Sequence, residues 1–206
     1  MPQRVAIVDY HLCNVDSVKR AFETLGASAF ITDVPGDLAE ADRIVLPGVG
    51  AFPDAMRELH DRGLDDALAL NVLEEGAPFL GVCLGMQLLA GIGNEVTETK
   101  GLAWLDASIA RLEATDADPR IPHVGWNEVD PVRESPLFDG IPPGADFYFV
   151  HSFHMSCADA ADVLATTPYC GGFTSVVQRE HVFGVQFHPE KSQQWGLRLL
   201  KNFLSV

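Results

Sequence analysis

The chain has 206 residues, of which 47% are apolar and 21% charged, with a formal net charge of −15. That composition suits one globular domain that builds its own core without disulfide staples. The acidic excess argues against a protein that grips phosphate backbones, which needs a cationic face, and favours a neutral zwitterion over an anion as ligand.

The elements follow in order. Val5-Ala6-Ile7-Val8 is a compact apolar run of the kind found in strands buried on both faces. Val15 to Leu25 places Val15, Val18, Ala21, Phe22 and Leu25 at helical spacing, and Gly26 ends it. Ile44-Val45-Leu46 predicts a second buried strand, broken by Pro47-Gly48. Ala51 to Glu75 reads as one or two helices with a break at Gly63, and Phe79 to Val82 as a third strand leading into a helix over Leu84 to Ala90. Strand and helix alternating in this way imply a parallel sheet with helices on both faces. From Ala107 to Phe187 the apolar runs shorten, punctuated by Pro, Gly and Asp, as in antiparallel strands. Strands are expected over Ile109–Leu112, Glu128–Val132, Tyr148–Val150, Ser175–Gln178 and Val182–Phe187, then a helix over Gln193–Leu204. The fold class is α/β: a Rossmann-like (flavodoxin-like), mostly parallel sheet with an antiparallel extension, in a single domain over residues 1–206.

Met1 to Asp9 carries no charged leader ahead of a long apolar segment, so no export signal is expected. The longest uncharged run, Gly76 to Gly93, holds Pro78, Gln87 and several glycines and reads as strand, turn and helix rather than a membrane span. Cys13, Cys83, Cys157 and Cys170 are scattered without the spacing of a zinc site or a disulfide framework, which suits a reduced, cytoplasmic setting.

Three segments carry chemistry. Gly81-Val82-Cys83-Leu84-Gly85 has the form Gly-x-nucleophile-x-Gly at a strand-to-helix junction. Such a turn strains the nucleophile's backbone, projects the thiol at a helix N-terminus and leaves the Leu84 amide free for an oxyanion. A buried structural cysteine is the competing reading of the pentapeptide. Phe187-His188-Pro189-Glu190, after a buried strand, supplies a base and a carboxylate to orient it. A metal site drawing on His151 and His154 fits no known helix-borne zinc spacing. Pro47-Gly48-Val49-Gly50 can approach a ligand closely or present amides to an anion, although alone it reads as a turn.

Together and in this order the motifs resemble the class I, cysteine-triad glutamine amidotransferases, and more narrowly the glutaminase subunits of imidazole glycerol phosphate synthases. Leu46 to Phe52 is similar to the oxyanion loop of those subunits, Gly81 to Gln87 to the nucleophile segment, and Gln186 to Ser192 to the segment holding the other triad members. Pro122-His123-Val124-Gly125-Trp126-Asn127 and Tyr148-Phe149-Val150-His151-Ser152 resemble segments specific to the subunit. The resemblance implies a Cys83, His188, Glu190 triad, with oxyanion donors at Leu84 and the Val49-Gly50 peptide. It implies glutamine contacts at Gly48, Gln87, Glu95, His151, Ser152 and Phe153. It places Asn14, Trp126, Tyr148 and Lys191 at a seam with a β/α-barrel cyclase subunit that receives ammonia for histidine biosynthesis. No cofactor, metal, nucleic acid or membrane is implied. Two departures stand out. Asp9-Tyr10-His11-Leu12-Cys13-Asn14 has His and Cys where the family usually has glycines, which costs of order 1 kcal/mol if a positive φ is required. Phe153-His154 stands where an aromatic pair with Tyr is commoner. The alternatives are a paralogous glutaminase feeding another synthase, as in sugar amidation, and a silent scaffold that regulates a barrel subunit.

Overall fold

The computed structural model describes residues 2–206. Its first half runs β1 (Arg4–Val8), α1 (Val15–Thr24), β2 (Ser28–Thr32), β3 (Arg43–Gly48), α2 (Phe52–Asp61), α3 (Leu64–Ala69), β4 (Phe79–Cys83) and α4 (Leu84–Gln87). The second half runs β5 (Ala90–Gly93), β6 (Thr99–Lys100), β7 (Leu105–Arg111), β8 (His123–Pro131), β9 (Ala145–His151), β10 (Phe153–Cys157), β11 (Val163–Thr167), β12 (Phe173–Arg179), β13 (Val182–Val185) and α5 (Gln193–Phe203).

The main path of the sheet is β2-β1-β3-β4-β13-β12-β10-β7-β5-β6, with β11, β8 and β9 branching from β12. The strands β2, β1, β3, β4 and β13 are parallel, and the sheet turns antiparallel from β13 to β12. Along β1 the side chains alternate between two cores. Val5 and Ile7 join Phe22 of α1 and Leu199, Leu200 and Phe203 of α5. Ala6 and Val8 join Phe52 and Leu59 of α2 and Leu64 and Leu68 of α3. Each such fully buried Val, Ile, Leu or Phe side chain contributes about 1.5–3 kcal/mol relative to an exposed one, so burial on both faces anchors β1 between the two helical layers.

The expected helix over Leu84–Ala90 stops at Gln87. Ala90 instead begins a strand that pairs with β7, and Gly91 and Gly93, poor helix formers, offer no resistance. The strand expected to break at Pro47-Gly48 runs through both residues, with Pro47 opposite Val82 and Gly48 opposite Cys83. Proline is tolerated there because the β1 register ends at Ile7 opposite Val45, leaving β3 a single neighbour. The strands β2, β5, β6, β10 and β11 are not among the sequence-based expectations; β2, β5, β6 and β11 carry little alternation of polar and apolar residues, whereas β10, Phe-His-Met-Ser-Cys, does alternate and is legible. Among the described residues no helix is long and apolar enough to cross a membrane.

Insertion of β13 beside β4 is what assembles the site. Val185 pairs with Val82, so the chain leaving β13 toward His188 emerges next to Cys83, and the end of β3 lies on the other side of β4. Parallel strands bring all three motif-bearing ends to one edge, where α/β sheets hold their ligands.

Candidate active site

Cys83 closes β4 and opens α4 with φ 55° and ψ −109°, a left-handed conformation that costs a non-glycine residue about 1–3 kcal/mol. The turn is possible because backbone packs on backbone around it. A methyl group at Gly85 would overlap the Leu46 carbonyl, and one at Gly81 would lie 2.6 Å from the Gly85 carbonyl oxygen. The thiol-bearing residue is only 6% exposed. Because α4 has one turn, its dipole is small, and support for a charged sulfur must come from individual donors.

His188 is buried behind the sulfur, with Nδ1 2.9 Å from Glu190 Oε1. Burial alone would lower the imidazole, but its interactions with the Cys83 sulfur and the Glu190 carboxylate outweigh it and push His188 up to about 10. Nε2 is buried without a hydrogen-bond partner, which leaves it free to exchange a proton with the Cys83 sulfur. The turn is clamped from behind: Ser192 Oγ donates to the His188 carbonyl at 2.6 Å and accepts from the Tyr148 amide at 3.0 Å.

In front of the sulfur is a cavity of about 300 Å³ lined by Val49, Gly50, Cys83, Leu84, Gln87, Glu95, Val150, His151, Ser152 and Phe153. It has room for an amino-acid-sized ligand. Larger depressions at Pro131–Pro143, Pro35–Pro78 and Thr115–Gly172 include no triad residue, and one of about 320 Å³ beside α1 and α5 reaches Glu190 but not Cys83. Glu95 presents its carboxylate to the cavity while Oε2 accepts from the Phe52 amide at 2.8 Å, where α2 begins. Gln87 Nε2 is committed to Phe153 O and Gln186 Oε1, each at 3.0 Å. Gly48, expected at the glutamine site, is not among these lining residues; a Cβ added there would meet the Tyr10 hydroxyl and Leu84 Cβ.

His151 is held by a one-way chain of hydrogen bonds. The Phe153 carbonyl can only accept, so His151 Nδ1 donates to it at 2.8 Å. His151 Nε2 then accepts from His123 Nδ1 at 3.0 Å, and His123 Nε2 accepts from Asn127 Nδ2 at 3.2 Å. Burial lowers His151 to about 3 and His123 to about 4, so both rings are neutral at physiological pH.

The oxyanion loop does not have the expected arrangement. The Val49 amide donates to the Leu12 carbonyl at 2.7 Å and is therefore turned away from the cavity. The Leu84 amide opens α4 with no side chain capping it, as expected of a donor. Of the two substituted glycine positions in the first loop, His11 does adopt a positive φ of 68°, whereas Cys13 does not. The Cys13 thiol, pushed up to about 12 by burial and then by Asp9, stays a neutral donor.

Three of the four residues expected at a partner seam lie together on one face of β8, β9 and the turn after β13. Trp126 meets Tyr148 edge-on with ring centroids 5.9 Å apart, and Lys191 Nζ lies 5.9 Å from the Tyr148 ring. Val124 and Val150, paired across β8 and β9, extend this exposed face toward the cavity mouth. Asn14 stands exposed at the start of α1, which packs against the Pro189–Lys191 turn. The sequence reading assigned no role to His123, Gln186 or Ser192. For Gln186 a signal existed: a lone polar residue between Val185 and Phe187 in a buried run.

A model of the family described as glutamine amidotransferase class-I matches residues 6–206. The chain belongs to that family. As an amidotransferase it is an enzyme that hydrolyses the glutamine side-chain amide. Among its relatives, the imidazole glycerol phosphate synthase subunit HisH of Salinibacter ruber is 48% identical over 204 residues, covering 97% of this chain and 93% of that protein. Subunit HisH 2 of Nitrobacter winogradskyi is 47% identical over 206 residues, covering 98% and 97%. The solved structure of PurLQS from Thermotoga maritima shares the amidotransferase fold, with a TM-score of 0.77 at 18% identity over 100% of this chain and 99% of that one.

Proposed function

We propose that this amidotransferase is the glutaminase subunit of a cytoplasmic imidazole glycerol phosphate synthase, built as one amidotransferase domain that delivers ammonia to a β/α-barrel cyclase. The observation that carries the chemistry is the alignment of a strained Cys83, a raised His188 and a buried Glu190 behind one cavity. Relatives named as HisH, matched over nearly the whole chain, support the choice of synthase.

In this reading Cys83 Sγ attacks the glutamine carboxamide carbon, its proton having passed to His188 Nε2. His188 returns that proton to the nitrogen as the C–N bond breaks, releasing ammonia and leaving a glutamyl thioester. Water then attacks the thioester and gives a proton to His188. The C–S bond breaks, glutamate departs and the thiol proton is restored. Glu190 holds the imidazole in orientation throughout. The Leu84 amide serves the oxyanion, joined by the Val49-Gly50 segment once Val49 releases Leu12. Glu95 faces the ligand's ammonium, and Gln87 Oε1, His151, Ser152 and the Phe153 backbone line its path. The exposed face of Trp126, Tyr148, Val124 and Val150, with Lys191 and Asn14, meets the cyclase and keeps ammonia from bulk water, where it would be protonated.

The test is glutamate release by the purified chain, alone and with the cyclase subunit and its ribulosyl ligand from the same source. A large rise only in the complete mixture is expected; no rise would assign the chain to a different synthase. Charge reversal at Lys191 should weaken the complex in titration calorimetry, and unchanged affinity would remove Lys191 from the seam.

A further inference from the structure

We propose that Gln186 is a further catalytic residue, whose side-chain amide donates a hydrogen bond to the Cys83 sulfur and is aimed there by Gln87. This deepens the glutaminase reading and rests on Cys83 being its nucleophile. Gln186 is completely buried, one residue past β13. Its Nε2 lies 3.7 Å from Cys83 Sγ, within reach of a hydrogen bond to sulfur.

The polarity of this contact follows from its neighbours. The Phe153 carbonyl can only accept, so the Gln87 atom 3.0 Å from it is the amide nitrogen. That nitrogen spends its second hydrogen on Gln186, so the Gln186 atom 3.0 Å away is the oxygen. The nitrogen of Gln186 is left pointing at the sulfur. A backbone carbonyl thus fixes, through two carboxamides, that Cys83 faces a donor. The backbone secures Gln186 as well: its own amide donates to the Ser175 carbonyl at 2.9 Å.

A buried carboxamide in an otherwise apolar strand costs free energy unless its hydrogen bonds are made. Leucine or methionine would pack in the same space without that cost, so packing does not explain a glutamine at this position. The chemistry does. With α4 only one turn long, the sulfur has little dipole support and relies on discrete donors. His188 is one, but it gives its proton to the departing nitrogen and takes another from the incoming water. Gln186 cannot ionise and donates at every stage. It favours the states in which sulfur carries negative charge: the attacking thiolate, and the thiolate expelled when water cleaves the thioester. The charged and titratable groups around this sulfur are His188 with Glu190 behind it, His151 across the cavity, Glu95 on its wall and Tyr10 beneath β3. His151 is committed to Phe153 and His123 and the Tyr10 phenol makes no hydrogen bond, so Gln186 is the neutral donor that reaches the sulfur.

The experiment compares the full chain with Q186M, Q87M and C83A, measuring iodoacetamide alkylation at neutral pH and, in the synthase complex, kcat and KM for glutamine. Subtracting the C83A rate isolates Cys83 from the other cysteines. Q186M is expected to slow Cys83 alkylation by about tenfold and lower kcat by a similar factor, with KM little changed. Q87M, which frees Gln186 from its tether, is expected to have a smaller effect in the same direction. A folded Q186M with wild-type alkylation and kcat would overturn the inference. Should Q186M fail to fold, Q87M decides in its place, and wild-type alkylation there would overturn it. If C83A itself retained turnover, the nucleophile reading would fail instead, which keeps the two failures distinct.

Discussion

The two sides of the active-site cavity are built on opposite principles. On the nucleophile side, β3, β4 and α4 meet backbone to backbone, and a side chain at Gly81 or Gly85 has nowhere to go. On the oxyanion-loop side, Gly50 has φ +106° with open space around it, Val49 is 44% exposed, and a single Val49-to-Leu12 hydrogen bond sets the local conformation. Sterics hold the first region and one exchangeable contact holds the second. A nucleophile gains from being placed before substrate arrives, whereas an oxyanion donor that must turn can be subject to control.

The largest test of that contrast is chemical. Cys83→Ala should reduce glutamate release by roughly 10³-fold or more while leaving the melting temperature nearly unchanged. Retained turnover would remove the nucleophile from the rigid side altogether. His188→Ala should follow closely, and Glu190→Gln should lose less, about 10- to 100-fold, because orientation is less essential than proton transfer. Equal and negligible losses in both would dissolve the triad.

Next come the two glycines. Gly85→Ala should destabilise the fold by about 3 kcal/mol in urea denaturation, since two packed backbones must part. Gly50→Ala meets only its own φ preference and should cost about 1–2 kcal/mol, less if the loop relaxes. Similar penalties at both positions would erase the distinction between the two sides.

The smallest effects are in pH. His188 is raised from 6.5 to about 10, so its contribution to stability is complete below pH 6.5 and is lost as pH rises toward 10. His123, lowered from 6.5 to about 4, works in the opposite sense: the unfolded chain takes up its proton first, and stability falls as pH drops from 6.5 toward 4. His188→Gln should flatten the alkaline limb of the stability curve and His123→Phe the acid limb. The reverse pattern would contradict both assignments.

Much of this was legible in the sequence because the rigid side is written in local code. Gly-x-Cys-x-Gly after an apolar run, and His-x-Glu after another, state their geometry through residue type and spacing. The parallel strands followed from runs buried on both faces. What stayed hidden depends on contacts between distant segments. Nothing local in Val49 reveals that its amide reaches Leu12, and Gly48 looks like a ligand contact until Tyr10 is seen filling the space beside it. The early end of α4 was likewise decided by pairing of Ala90 and Ile92 with β7, which no helical pattern in Leu84–Ala90 can show. The hydrogen-bond chain through Asn127, His123 and His151 needed the β8–β9 register, which sets His123 opposite His151.

The contact between Gly85 and the Leu46 carbonyl also limits how this enzyme can be altered. No side chain intervenes there, so no substitution at that contact can retune the nucleophile by degrees; it either fits or breaks. Gradual adjustment has to come from positions where side chains touch the sulfur or its base, at Gln186 and the Ser192 clamp, or aim such a side chain, at Gln87. A laboratory seeking to speed, slow or redirect this glutaminase should therefore diversify those positions and leave the elbow untouched.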